Sequence, residues 1–181
     1  MKYNIKQLID NKAENKFIFF WGHRASADGN IAKTCFSQWW ESPFAESGIL
    51  YKTAEHYMMA KKAELFKDTE IQHQIIAATT PAEVKKLGRL VKNYDDEIWL
   101  ANRYAIVLQG NYLKFSQNKE LKNLIINTGH RIIVEASPVD MIWGIGMAAD
   151  NPEIYFPEKW KGLNLLGFAL MEVRDLLSVE N

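Results

Sequence analysis

The chain has 181 residues, with 22 acidic and 22 basic side chains and a formal net charge of zero. That length fits one domain, 1–181, with a real core, and the 48% hydrophobic content excludes disorder. Zero net charge argues against a protein that lives on sequence-independent phosphate contacts, so any nucleic-acid contact is expected from a local patch. The single cysteine, Cys35, excludes an internal disulfide.

Tyr3 to Asp10 reads as a short helix, and Met1 to Asp10 is amphipathic rather than the basic stub and apolar core of a secretory leader. No apolar run is long enough to span a bilayer, so no membrane partner is expected and the cytoplasm is the expected location. Phe17 to Trp21 has strand character, His23 to Lys33 reads as a loop around Gly29, and Gly48 to Tyr51 as a second short strand.

From Thr53 the pattern turns helical. Thr53 is a candidate N-cap for a helix over Ala54 to Phe66, and Asp68 for a second helix with Ile71, Ile75 and Ile76 on one face. Thr80-Pro81-Ala82-Glu83 combines a capping threonine, a proline at the first helical position and a capping-box glutamate, with an end near Gly88. Asp95 or Asp96 opens a long helix to about Phe115, and another covers Asn118 to Asn127, stopped by Gly129. Arg131 to Ala136 reads as a strand, Ser137 to Pro157 as loop, and Asn164 to Leu177 as a final amphipathic helix with Leu166, Leu170, Val173 and Leu177 on its face. Helices dominate and strands do not alternate with them, so the class is α+β and predominantly helical. No GxGxxG or P-loop is present.

Glu55 and Lys62 stand seven apart on the Thr53 helix, so they share a face about 10.5 Å apart along the axis. A ligand there meets a carboxylate and an amine together, and burial of the amine would ready it as a nucleophile near neutral pH. The spacing alone is also that of two solvated charges. In Ser137 to Gly146, Asp140 is placed to orient a water or a sugar hydroxyl and Trp143 to stack on a base. Gly144 and Gly146 would let backbone approach a phosphate. A turn anchored by a tryptophan has the same pattern. Arg89 suits a phosphate or the end of its helix. His23, His56, His73 and His130 show no metal-ligand spacing. Asn164 and Gly167 read as an N-cap and a packing glycine.

The segments Phe19-Phe20-Trp21-Gly22-His23, Phe36-Ser37-Gln38-Trp39 and Tyr51 through Ala63 resemble, in order, those of the NADAR (YbiA-like) family. Leu87-Gly88-Arg89, Trp99 with Arg103, Lys114-Phe115, Val134 through Gly146 and Trp160 through Met171 continue the match, so it covers about 17–177. The resemblance implies a compact, largely helical fold with a few short strands and an N-glycosidase acting on ribose phosphates. It implies neither a metal nor a cofactor. One branch of the family removes ADP-ribose from modified guanine; another hydrolyses phosphoribosylamino-pyrimidine intermediates of riboflavin synthesis.

By position, the resemblance gives Glu55, Lys62 and Asp140 as catalytic. It gives Trp21, Gly22, His23, Ser37, Arg89, Trp99, Trp143, Gly144 and Asn164 as substrate-binding. Lys61, beside Lys62, falls on another helical face. Two mechanisms are open: Asp140 or Glu55 activates water, or Lys62 forms a Schiff base with C1 of the opened sugar. The Trp-Gly-His loop favours the ADP-ribose branch. The expected partner is therefore an ADP-ribose-containing or ribose-phosphate small molecule, or ADP-ribosylated DNA or RNA held by Lys85, Lys86, Arg89 and Lys92. A non-catalytic ADP-ribose or NAD binder is the alternative outside enzymes.

Overall fold

The computed structural model describes residues 1–11, 15–25 and 30–179. Residues 26–29 of the expected His23 to Lys33 loop, Gly29 among them, lie outside these. The chain packs as two compact units, Met1–Ser37 with Lys119–Asn181, and Gln38–Asn118.

In the first unit, helix α1 (Ile5–Asp10) opens with a capping box between Asn4 and Gln7. Strand β1 (Phe17–Phe20) pairs in parallel with β4 (Ile132–Glu135), with Phe17 opposite Ile132 and Phe20 opposite Glu135. Helix α6 (Lys119–Ile126) precedes β4, and helix α7 (Leu165–Val179) closes the unit. Short 3-10 turns lie at Lys33–Phe36, Pro152–Tyr155 and Pro157–Lys159, the last two inside or bordering the segment expected as loop. The amphipathic reading of α7 is too narrow. Leu166, Leu170, Val173 and Leu177 are buried, but so is every residue from Leu165 to Met171.

In the second unit, β2 (Phe44–Glu46) and β3 (Ile49–Tyr51) form an antiparallel hairpin turned at Ser47-Gly48. Four helices follow: α2 (Ala54–Leu65), α3 (Thr69–Ala77), α4 (Pro81–Gly88) and α5 (Asp96–Gln117). Each starts where a side chain caps it: Thr53 accepts from the His56 amide, Asp68 from Ile71, Thr80 from Glu83 and Asp95 from Ile98. The Glu83 carboxylate reaches the Thr79 amide at 3.1 Å, one residue before the cap that a capping box would serve. The core of this unit gathers Phe44, Tyr51, Tyr57, Phe66, Ile75 and Val84.

Candidate functional site

Of the residues singled out by sequence, Glu55, Lys62, Arg89 and Trp99 belong to the second unit. Glu55 is the second residue of α2, where the helix dipole favours an anion. It is only 4% exposed. Lys62, in the last turn, is half-buried. The reading as two solvated charges is therefore overturned: α2 is a core helix, with Ala54, Tyr57, Met58, Ala60 and Ala63 buried around the pair.

Lys62 Nζ donates to the Gly88 carbonyl oxygen at 2.8 Å. The same amine sits 4.3 Å from the Tyr94 ring centroid and 5.6 Å from that of Trp99. A carbonyl and two aromatic faces replace water there, so burial lowers the Lys62 pKa below the ordinary lysine value, partly offset by the Asp96 carboxylate. Trp99 thus meets Lys62. Arg89 follows Gly88 as the C-cap residue of α4 and is exposed.

Three residues not singled out as site candidates lie buried in the same unit. Gln38 is 8% exposed, and Asn111 and Lys114 of α5 are fully buried. Asn111 Nδ2 donates to Gln38 Oε1 at 2.9 Å, and the Glu55 amide donates to the Gln38 carbonyl oxygen at 3.0 Å. Lys114 stands one turn beyond Asn111, its ammonium 5.2 Å from the Phe115 ring centroid. The available signal was Asn111 and Lys114 recurring at a three-residue spacing in a helix whose other inward positions are apolar.

In the first unit, the loop after β4 is built around Asp140. Its Oδ1 accepts from the amides of Ile142 (2.8 Å) and Trp143 (2.7 Å), so this oxygen shapes the turn. The Gly144 carbonyl accepts from the Asn164 amide at 3.1 Å, bringing Asp140, Trp143, Gly144 and Asn164 into one arrangement. A Cβ on Gly144 would lie 2.9 Å from the Glu135 carbonyl oxygen and 3.0 Å from that of Asp140. A side chain at this position would therefore collide with the protein's own backbone. Asn164 directly precedes α7 and its carbonyl accepts from the Phe168 amide at 3.1 Å, as at an N-cap, but its side chain is spent elsewhere. It is fully buried, its Oδ1 accepts from the Glu135 amide (3.1 Å), and its Nδ2 donates to the Ile133 carbonyl oxygen (3.0 Å). Its side chain ties the loop to β4. Trp21, Gly22 and His23 are exposed after β1, and Ser37 is half-buried.

A cavity of about 590 Å³ in this unit is lined by Ile18, Lys33, Phe36, Leu124, Thr128 and Arg131 among others, with no carboxylate in its wall. Among the described residues no cluster of His, Cys, Asp or Glu is arranged to hold a metal ion. None of the helices they form is long and apolar enough to cross a membrane.

The NADAR domain model matches residues 19–178. The chain is 42% identical over 167 residues to an N-glycosidase of Acanthamoeba polyphaga mimivirus, covering 89% of this chain and 96% of that one. It is 32% identical over 149 residues to an N-glycosidase of Nostoc punctiforme, covering 80% and 88%. The NMR structure of Escherichia coli YbiA superposes with a TM-score of 0.72 at 26% identity, covering 92% of this chain and 87% of that one. The α+β, mainly helical architecture is thus that of YbiA. With a family model over nearly its whole length and relatives of matching size named N-glycosidases, the chain belongs to the NADAR family and is a hydrolase of N-glycosyl compounds.

Proposed function

We propose that the chain removes ADP-ribose from ADP-ribosylated guanine, with Lys62 as nucleophile and Glu55 as the partnering carboxylate. The observation that carries this reading is the pair on α2: a buried carboxylate and, two turns on, an amine whose pKa is lowered by burial. Burial disfavours the ammonium form of such an amine, and the neutral form is the one that can attack carbon.

The step balances without a redox partner. The C1–O4′ bond of the glycosylamine opens and O4′ takes a proton, leaving an imine between C1 and the base nitrogen. The Lys62 amine adds to C1, and the base leaves with the electron pair and a proton. Water then hydrolyses the lysine imine to the free sugar aldehyde and regenerates the amine. Glu55 is the group proposed to move the protons. In the competing route Glu55 activates water at C1 and Lys62 contributes charge only. The roles of Asp140, Trp143 and Arg89 rest on the family resemblance.

A nucleic-acid substrate is supported by Lys85, Lys86 and Arg89 at the end of α4. Lys85 Nζ stands 5.8 Å from the Trp39 ring centroid. Lys92 is a weaker member of this strip, because its amine is 2.9 Å from the Glu70 carboxylate.

The test is parallel incubation with DNA carrying ADP-ribosylated guanosine and with the phosphoribosylamino-pyrimidine. Release of ADP-ribose from the first supports the proposal. Release of free base from the second alone moves the substrate to the riboflavin branch. Tight calorimetric binding of ADP-ribose with turnover of neither would make the chain a binder.

A further inference from the structure

We propose that Gln38 and Asn111 are positioning residues for Glu55, transmitting the fixed geometry of α5 to the first turn of α2. The proposal rests on Glu55 being a reacting carboxylate.

The relay starts inside α5. Asn111 is fully buried in the helix interior, where a short side-chain amide competes with the backbone and is disfavoured. Its Nδ2 donates both to the Val107 carbonyl oxygen at 2.8 Å and to Gln38 Oε1 at 2.9 Å. The Val107 carbonyl fixes which way this amide points, since the reversed amide would set two oxygens against each other. That in turn holds the Gln38 side chain oxygen-first toward α5. The Gln38 backbone carbonyl then accepts the Glu55 amide at 3.0 Å. The Glu55 amide is one of the four at a helix start that no intrahelical carbonyl can satisfy. Thr53 caps the next one, that of His56. The residue that carries the carboxylate is therefore pinned from α5 through Gln38.

Stability alone does not account for this pair. Gln38 Nε2 and Asn111 Oδ1 are both buried with no hydrogen-bond partner among the described residues. Two desolvated polar atoms are a cost that an apolar pair of similar shape would avoid. Packing would select leucine or methionine at these positions. The bonds this pair does make lead instead to the first turn of α2, at the Glu55 amide.

The experiment uses the full chain with Asn111→Leu, Gln38→Met and the swapped double variant Gln38→Asn with Asn111→Gln. Thermal midpoint, kcat and KM on ADP-ribosylated guanosine, and exchange of the Glu55 and His56 amides are measured together. For the single variants kcat should fall by about tenfold or more at little-changed KM and beyond what any change in midpoint accounts for, because a small misplacement of a reacting group is expensive. The Glu55 amide should exchange about tenfold faster while that of His56, held by Thr53, keeps its rate. The swap, which conserves the combined side-chain length, should restore Glu55 protection and much of kcat. Unchanged Glu55 protection in both single variants overturns the proposal, as does a kcat loss that only follows a falling midpoint. If the parent protein cleaves no glycosidic substrate, the functional reading fails, and amide exchange still decides whether the relay holds Glu55.

Discussion

Lys61 and Lys62 leave α2 toward opposite electrostatic surroundings. The Lys61 amine is 3.1 Å from the Glu46 carboxylate and 3.0 Å from that of Glu64. Desolvation works to lower its pKa, but the two carboxylates outweigh it and hold the amine above the ordinary lysine value. Lys62 has a carbonyl and two rings instead, and burial takes it below that value. Two carboxylates favour the charged form of Lys61, while burial disfavours that of Lys62, which makes Lys62 the better candidate nucleophile of the two.

The first prediction follows from that contrast. Lys62→Met should lower turnover by at least about a hundredfold, the scale of losing a reacting group. Borohydride reduction during turnover should trap a sugar adduct on Lys62 in the parent protein and none in the variant. Lys61→Met should retain turnover, and its lost ion pairs, being partly exposed, should cost no more than about 1 kcal/mol. Undiminished turnover in Lys62→Met would transfer the chemistry to water and Glu55.

Asp96 tunes the same amine. Its carboxylate raises the Lys62 pKa against the lowering by burial. It also accepts from the Tyr94 hydroxyl at 2.7 Å, so it holds the ring over the amine as well. The nucleophile must be unprotonated, so activity should climb as pH rises through the Lys62 pKa. Asp96→Asn removes the charge that favours the ammonium and should move that climb to lower pH. A pH–rate profile reads it directly, and movement to higher pH would contradict the assignment.

The helix starts were legible because each is a local arrangement of one side chain and amides two or three residues on. Thr53, Asp68 and Thr80 cap where the sequence places them, and Asp95 is the one of two candidates that caps α5. The pairing of β1 with β4 was not, since parallel partners far apart in the chain leave no local mark. Strand β2 has three residues, too few for alternation to register. Glu55 and Lys62 were visible as a spacing, whereas their burial depends on what α2 packs against. Asn111 and Lys114 were hidden for the same reason: a polar residue inside an amphipathic helix looks solvated until its neighbours are known.

His56 links stability to pH. It is 1% exposed, with Nδ1 2.8 Å from the Thr53 hydroxyl and Nε2 3.2 Å from the Ala78 carbonyl oxygen. Nε2 donates to that carbonyl in the neutral ring, and Nδ1 accepts from the hydroxyl. Burial lowers its pKa below the ordinary value of 6.5, with Lys52 adding to the effect and the Ala78 carbonyl and Glu83 opposing it. The unfolded chain therefore takes up the proton first. The contribution of His56 is complete above pH 6.5 and is lost as pH falls below it toward the folded-state value. Urea midpoints measured from about pH 7.5 down to about pH 5 should decline, and His56→Gln, which keeps a donor for Ala78, should flatten the decline. An unaltered slope in the variant would remove His56 from the account.

Gly110 sets how closely α5 meets α2. A Cβ there would lie 2.6 Å from Tyr57 Cδ1 and 3.2 Å from Cε1. Tyr57 cannot swing aside easily, because its hydroxyl is 3.1 Å from both Glu46 carboxylate oxygens. Gly110→Ala gains up to about 1 kcal/mol in helix propensity. Overpacking of this kind costs roughly 1–3 kcal/mol, so the net change should be destabilising. Chemical denaturation measures it; a stabilised variant would mean that the Tyr57 ring yields.

Asn164 separates a structural tie from a ligand contact. Its φ of +53° is a left-handed conformation that asparagine tolerates better than most residues. Asn164→Ala loses both bonds to β4, at about 1 kcal/mol each or more where a main-chain group is left unsatisfied. It also takes on left-handed strain of about 1–2 kcal/mol, which Asn164→Gly avoids. Alanine should therefore be less stable than glycine, and both less stable than asparagine. Because the side chain is fully buried and bonded to β4, the folded fraction of each variant should keep its KM. A raised KM in a fully folded Asn164→Gly protein would return this residue to the binding surface.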